Sequence, residues 1–127
     1  MSDAILVVDD HPLNLKLARL VLEKGGYEVR TACDGEALMS LLQSFRPCLI
    51  LMDVQLPGVD GLELTRRLKS RAETRNIIVI AFTAYAMKED RARALAAGCD
   101  GYIAKPIDTR TLSATVAEYL ATEAVHS

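Results

Sequence analysis

Five polar or charged side chains follow directly on short apolar runs. Asp9 and Asp10 follow the run at 4–8, Asp53 follows 48–52, Thr83 follows 77–82 and Lys105 follows 101–104. Runs of this length and composition read as buried strands, and turn residues such as Pro57, Gly58, Asp60 and Gly61 bound the central one. Taken singly, each residue has an ordinary explanation: a turn-capping Asp53, a strand Thr83, a surface Lys105. If the strands are parallel, however, all five groups meet at the carboxyl edge of one sheet. That edge is where open α/β sheets bind ligands.

Three carboxylates gathered there repel one another, at a cost of roughly 4 kcal/mol per close pair at ~4 Å and an effective dielectric near 20. Protonation, a cationic side chain or a metal must offset that cost. Lys105 supplies one positive charge, and an oxygen-only donor set suits a hard cation, Mg²⁺ above all. Calcium fits less well, because the chain has no D-x-D-x-D-G loop. Simple phosphate or flavin binding also fits poorly. Phosphate-binding first loops are rich in glycine or hydroxyls, whereas this one reads Asp9-Asp10-His11-Pro12. A metal held by Asp10 and Asp53 with Lys105 opposite would hold a phosphoryl group in transfer. Asp53 would be the nucleophile and form an acyl phosphate, with Thr83 and Lys105 bonding and neutralising the phosphoryl oxygens.

The elements that must position these groups alternate along the chain. Strands are expected at 4–8, 27–32, 48–52, 77–82 and 101–104. Helices are expected at 13–24, from 34–35 to about 45, from 62 to about 72, at 87–97 and from 109 to about 121, with a frayed tail at 122–127. Strict alternation implies parallel strands, right-handed crossovers and helices on both faces. The second strand is the least apolar and is expected near an edge. In the first helix Leu13, Leu17, Leu20 and Val21 read as the core stripe, with Leu15, Ala18 and Leu22 widening it; Leu15 reaching the surface as a partner patch is the sharper reading.

At 127 residues and a net charge of −2, the chain is sized for one domain and has no general attraction for nucleic acid or anionic membranes. No apolar run approaches membrane-spanning length and no signal peptide is evident, so the expected compartment is the cytoplasm. Met1 and the short tail are read as the ends of a complete unit, with a core at about 4–121. Cys33, Cys48 and Cys99 lack metal-ligand spacing with each other or with His11 and His126, and are expected to be buried or half-buried thiols. The basic residues Arg66, Arg67, Lys69, Arg71 and Arg75 read as a solvated helix face.

Four motifs, V-V-D-D at 7–10, L-M-D-V-Q-L-P-G-V-D-G at 51–61, A-F-T-A at 81–84 and Y-I-A-K-P at 102–106, closely resemble the receiver domain of two-component response regulators. The runs at 84–88 and 98–102 are most similar to stand-alone cell-cycle regulators and hybrid-kinase receivers. The resemblance covers the chain from Ile5 to about Leu120. It implies a flavodoxin-like sheet of order 2-1-3-4-5 and Asp53 as the phospho-acceptor. It also implies Mg²⁺ bound directly by Asp10 and Asp53, through water by Asp9, and by the backbone carbonyl of Gln55. Thr83 and Tyr102 would be the switch residues, Lys105 the conserved-type lysine, and the Lys105–Pro106 bond cis. Gln55 and Tyr85 occupy the positions that tune dephosphorylation, and push in opposite directions.

The activity implied is a signalling switch. Asp53 would take a phosphoryl group from a sensor histidine kinase or a histidine-containing phosphotransfer protein. The surface of the fourth helix, fifth strand and fifth helix, near Arg91, Ala94, Tyr102 and Thr111, would then change for a downstream protein target. The chain would be a monomer or weak homodimer, with no enzyme activity beyond Mg²⁺-dependent self-phosphorylation and autodephosphorylation. A degenerate receiver used as a docking module is one alternative. A Mg²⁺-dependent phosphohydrolase is another, although Gln55 stands where such enzymes place a second aspartate.

Overall fold

The structure is a computed structural model and describes residues 3–56, 58, 60–83 and 88–126, with backbone only for 88–90 and 122–126. Five strands, β1 (Ala4–Val8), β2 (Glu28–Ala32), β3 (Leu49–Asp53), β4 (Ile78–Thr83) and β5 (Gly101–Ala104), form one parallel sheet of order β2-β1-β3-β4-β5. The helices between and after them are α1 (Pro12–Lys24), α2 (Gly35–Leu41), α3 (Gly61–Lys69), α4 (Lys88–Ala96) and α5 (Leu112–His126). This is the order the resemblance implies. β2, the least apolar strand, lies at an edge as expected.

Alternate residues of each strand feed two cores, because successive side chains point to opposite faces of a sheet. Leu6, Val8, Ile50, Met52, Val79 and Ala81 pack on one face under α2, α3 and α4. Ile5, Val7, Leu49, Leu51, Ile78 and Ile80 pack on the other under α1 and α5. Strands buried on both faces need continuous apolar runs, and β3 and β4 are buried at every position.

Several expectations need correction. α1 does not bury Leu13, Leu17 and Leu20: its core face is Ala18 and Leu22, with Leu15 and Val21 packed beside them. Leu13 and Leu20 are exposed (67% and 56%), so the surface leucines are these and not Leu15. Cys33 is exposed, whereas Cys48 is half-buried and Cys99 buried as expected. α2 ends at Leu41 and not near 45, and α5 starts three residues late but continues to His126. Met87, expected to start α4, lies outside the described residues.

Asp100 ties the lower edge of the sheet together. Its Oδ2 accepts from Lys69 Nζ and from the buried Val79 N–H, both at 2.8 Å, while Lys69 Nζ also donates to the Ile77 carbonyl at 2.7 Å. Removing the carboxylate leaves the Val79 amide without its acceptor inside the fold. Asp100→Ala is therefore expected to destabilise the chain by about 2 kcal/mol, read as a lower urea midpoint.

Candidate functional site: the carboxyl edge of β1, β3, β4 and β5

Asp9 ends the β1 run and is fully buried, with its amide bonded to the Ala32 carbonyl. Its Oδ1 accepts the His11 N–H at 2.8 Å, and its Oδ2 lies 3.1 Å from Lys105 Nζ and 3.3 Å from Asn14 Nδ2. Pro12, whose missing N–H costs nothing in a first turn, then starts α1. Asp10 faces outward, its Oδ1 3.0 Å from His11 Nδ1.

Asp53 is the last residue of β3 and pairs with Phe82, one place further along the ladder than its expected position in the following loop. The backbone N–H of Gln55 donates to its Oδ1 at 3.0 Å. Lys105 Nζ stands 3.2 Å from its Oδ2, close enough for an ion pair but without hydrogen-bond geometry. Oδ2 is thus a buried oxygen whose partner among the described residues is the Lys105 ammonium. Thr83 closes β4 and is buried, and its carbonyl accepts the Lys105 N–H at 2.7 Å. Lys105 stands just past β5 with its ammonium 5.3 Å from the Phe82 ring centre, and the Lys105–Pro106 bond is cis.

The structure brings Asp9, Asp53 and Lys105 into direct contact, with Asp10 at the rim and Thr83 at the adjacent strand end. Asp9, Asp10, His11 and Asp53 each offer a ligand atom within 4.8 Å of the others. The buried Asp53 oxygen without a hydrogen bond and this mainly carboxylate set fit a hard divalent cation. Gln55, Thr83 and Arg93 line a pocket of about 330 Å³ beside them, with Val54, Leu56 and Leu62 as its apolar wall. Tyr102 is half-buried against the core, and the Arg91 guanidinium stands 5.5 Å from its ring centre. Arg91 and Thr111 are exposed, and Ala94, expected on or near this surface, is buried against the core. Tyr85 lies outside the described residues.

Sequence reasoning gave no role here to His11 or Asn14. The signal for His11 was its adjacency to two carboxylates, which a search for cysteine and histidine spacing passes over.

Burial pushes the Asp53 carboxyl above the ordinary carboxylate range; the Gln55 N–H and Lys105 pull it down, and Asp9 adds to the rise. A folded-state value above the unfolded one means that the folded chain binds this proton more tightly. Asp53 therefore costs stability as pH rises from the ordinary carboxylate value through the raised one. Asp53→Asn is expected to raise the thermal midpoint at neutral pH in metal-free buffer. The gain should shrink as pH falls toward the carboxylate range.

A model of the response regulator receiver domain matches residues 5–117. The chain belongs to the response regulator receiver family. Receivers of this family act in two-component signalling, and the chain is 45% identical over 120 residues to the polar-differentiation response regulator DivK of Brucella anthropi, covering 94% of this chain and 98% of that one. DivK of Brucella ovis is 44% identical over the same shares. A CheY-like receiver from Methanospirillum hungatei superposes with a TM-score of 0.90 at 30% identity, covering 100% of both chains. The chemotaxis regulator CheY4 of Vibrio cholerae gives 0.88 at 26% identity, over 94% of this chain and 99% of that one. No helix among the described residues is long and apolar enough to cross a membrane.

Proposed function

We propose that this receiver is a phosphorylation switch in which Asp53 accepts a phosphoryl group from a phosphohistidine on a sensor histidine kinase or a histidine-containing phosphotransfer protein. The observation that carries the reading is Asp53 itself. It is a buried carboxylate with Lys105 at 3.2 Å, the Gln55 amide at 3.0 Å and a hydroxyl-bearing Thr83 at the next strand end. Asp9, Asp10, Asp53 and the backbone carbonyl of Gln55 would hold Mg²⁺. The ion, when bound, supplies positive charge to the phosphoryl oxygens.

In the transfer an Asp53 carboxylate oxygen forms the new bond to phosphorus as the phosphorus–nitrogen bond to the donor imidazole breaks, and the imidazole nitrogen takes up a proton. The Gln55 amide orients the carboxylate. Lys105 meets the charge that the carboxylate passes to the phosphoryl oxygens. The Thr83 hydroxyl then has a new acceptor, and its movement lets Tyr102 turn inward. The surface of α4, β5 and α5 changes with it for a downstream protein target. Biasing such a switch from 1:99 to 99:1 takes about 5.5 kcal/mol, within reach of a few charge-assisted hydrogen bonds to a phosphoryl group.

On this reading residues 1–127 work as one cytoplasmic receiver unit, a monomer or weak homodimer that contacts no nucleic acid. Its own chemistry is confined to gaining a phosphoryl group from a donor and losing it to water, with the Gln55 amide at the position that tunes the loss. A neighbour in fold, the DrrB receiver domain, carries a beryllium fluoride activator (TM-score 0.85, 29% identity). Incubation with acetyl phosphate followed by intact-mass spectrometry tests the chemistry. One phosphoryl adduct is expected with Mg²⁺ and none with chelator or in Asp53→Asn. An adduct of equal yield in Asp53→Asn would overturn the assignment.

A further inference from the structure

His11 is more than a neighbour of the acidic pair. Its Nδ1 lies 3.0 Å from Asp10 Oδ1 and 3.2 Å from Asp9 Oδ1, and its own N–H donates to that same Asp9 oxygen at 2.8 Å. The backbone therefore fixes where the ring starts, and the ring nitrogen falls within 4.8 Å of ligand atoms on Asp9, Asp10 and Asp53. The set has two levels: a buried floor of Asp9 and Asp53, both ion-paired with Lys105, and an exposed rim of Asp10 and His11. A pocket made only of oxygens selects hard ions. An added imidazole suits the borderline ions Co²⁺, Ni²⁺ and Zn²⁺, which bind nitrogen far better than Mg²⁺ does.

We infer that this pocket binds borderline d-block ions through His11 Nδ1 together with its carboxylates, and binds Mg²⁺ through oxygens alone. The inference deepens the reading of the pocket as a divalent-cation site and rests on it. The two classes of ion then compete for Asp10 and Asp53, and His11 sets the margin by which a d-block ion wins. His11 is in this sense a selectivity residue, and phosphoryl acceptance in its presence would depend on which ion is available.

The test uses the full chain carrying Cys33→Ser, because Cys33 is an exposed thiol that could also take a soft ion. Co²⁺ and Mg²⁺ are titrated separately by calorimetry, and the Co²⁺ complex is examined by proton NMR for a hyperfine-shifted imidazole N–H. The sequence has two histidines, so His11→Asn and His126→Asn are compared. The expected result is a shifted resonance that survives His126→Asn and vanishes in His11→Asn. His11→Asn should weaken Co²⁺ by about tenfold or more, the loss of one modest ligand bond, and Mg²⁺ by less than about twofold. Retained Mg²⁺ binding in that variant also reports an intact pocket. Co²⁺ binding without a shifted resonance, or equal weakening of both ions, would overturn the role of His11 alone. Absence of Mg²⁺ binding in the unsubstituted pocket would overturn the cation site and this inference with it.

Discussion

Lys105→Ala is expected to slow phosphoryl acceptance by about a hundredfold, the usual cost of removing one preorganised charge-stabilising group. The ammonium stands within 3.2 Å of both buried carboxylates, 3.1 Å from Asp9 and 3.2 Å from Asp53. Without it, Asp9 and Asp53 face each other at 0% and 2% exposure with no cation between them. Removing one partner of a buried ion cluster costs about 3 kcal/mol or more. Lys105 also holds the Asp53 carboxyl down, so in the variant that group rises further above its ordinary range. The stability deficit should therefore be largest at neutral pH and shrink on acidification, as the folded variant takes up its proton first. Urea unfolding across pH reads the deficit, and the rate of adduct formation from acetyl phosphate reads the chemistry.

Gly61→Ala is expected to destabilise the fold by about 3 kcal/mol and to lower phosphoryl acceptance with it. A methyl group at residue 61 would run into the carbonyl oxygen of Asp53 and would sit 3.0 Å from its carbonyl carbon and 3.1 Å from Val54 Cα. These are backbone atoms, and side-chain rotation cannot relieve the clash. The close approach exists because Gly61 N–H donates to the Val54 carbonyl at 3.2 Å, which brings the start of α3 under Asp53. Any relief must move the Asp53 backbone and with it the carboxylate. Gly58→Ala is the control: at φ +81 it is strained, but a methyl there meets nothing within 4 Å, so its cost should be about 1 kcal/mol. Thermal melts of the two variants should separate clearly. Equal melting points would show that the approach of Gly61 to Asp53 relaxes freely.

The strand ends were legible because their chemistry is written in residue type. Short apolar runs, each followed by Asp, Thr or Lys, bring those groups to one edge once the strands are parallel. The helix faces were less legible. α1 carries leucines at 13, 15, 17, 20 and 22, so two stripes of nearly equal hydrophobicity run along it. Which stripe turns inward is set by how the chain leaves β1. The His11 N–H bonds Asp9 Oδ1 at that exit, and the helix that follows faces the core with Ala18 and Leu22. Asp53 was expected just after a strand at 48–52; pairing with Phe82 carries the strand one residue further, to Asp53. α5 begins late for a local reason. The Asp108 side chain takes the Arg110 N–H at 2.9 Å and its carbonyl takes the Thr111 and Leu112 N–H groups, which makes a turn before the helix.

The acyl phosphate itself gives the most direct test. Borohydride reduces an aspartyl phosphate to homoserine, which marks the modified residue permanently. Treating the chain with acetyl phosphate and Mg²⁺, reducing it and sequencing its peptides should place homoserine at position 53 and at no other aspartate. Homoserine at position 9 or 10, or at none of the aspartates despite a phosphoryl adduct in the intact mass, would contradict the account.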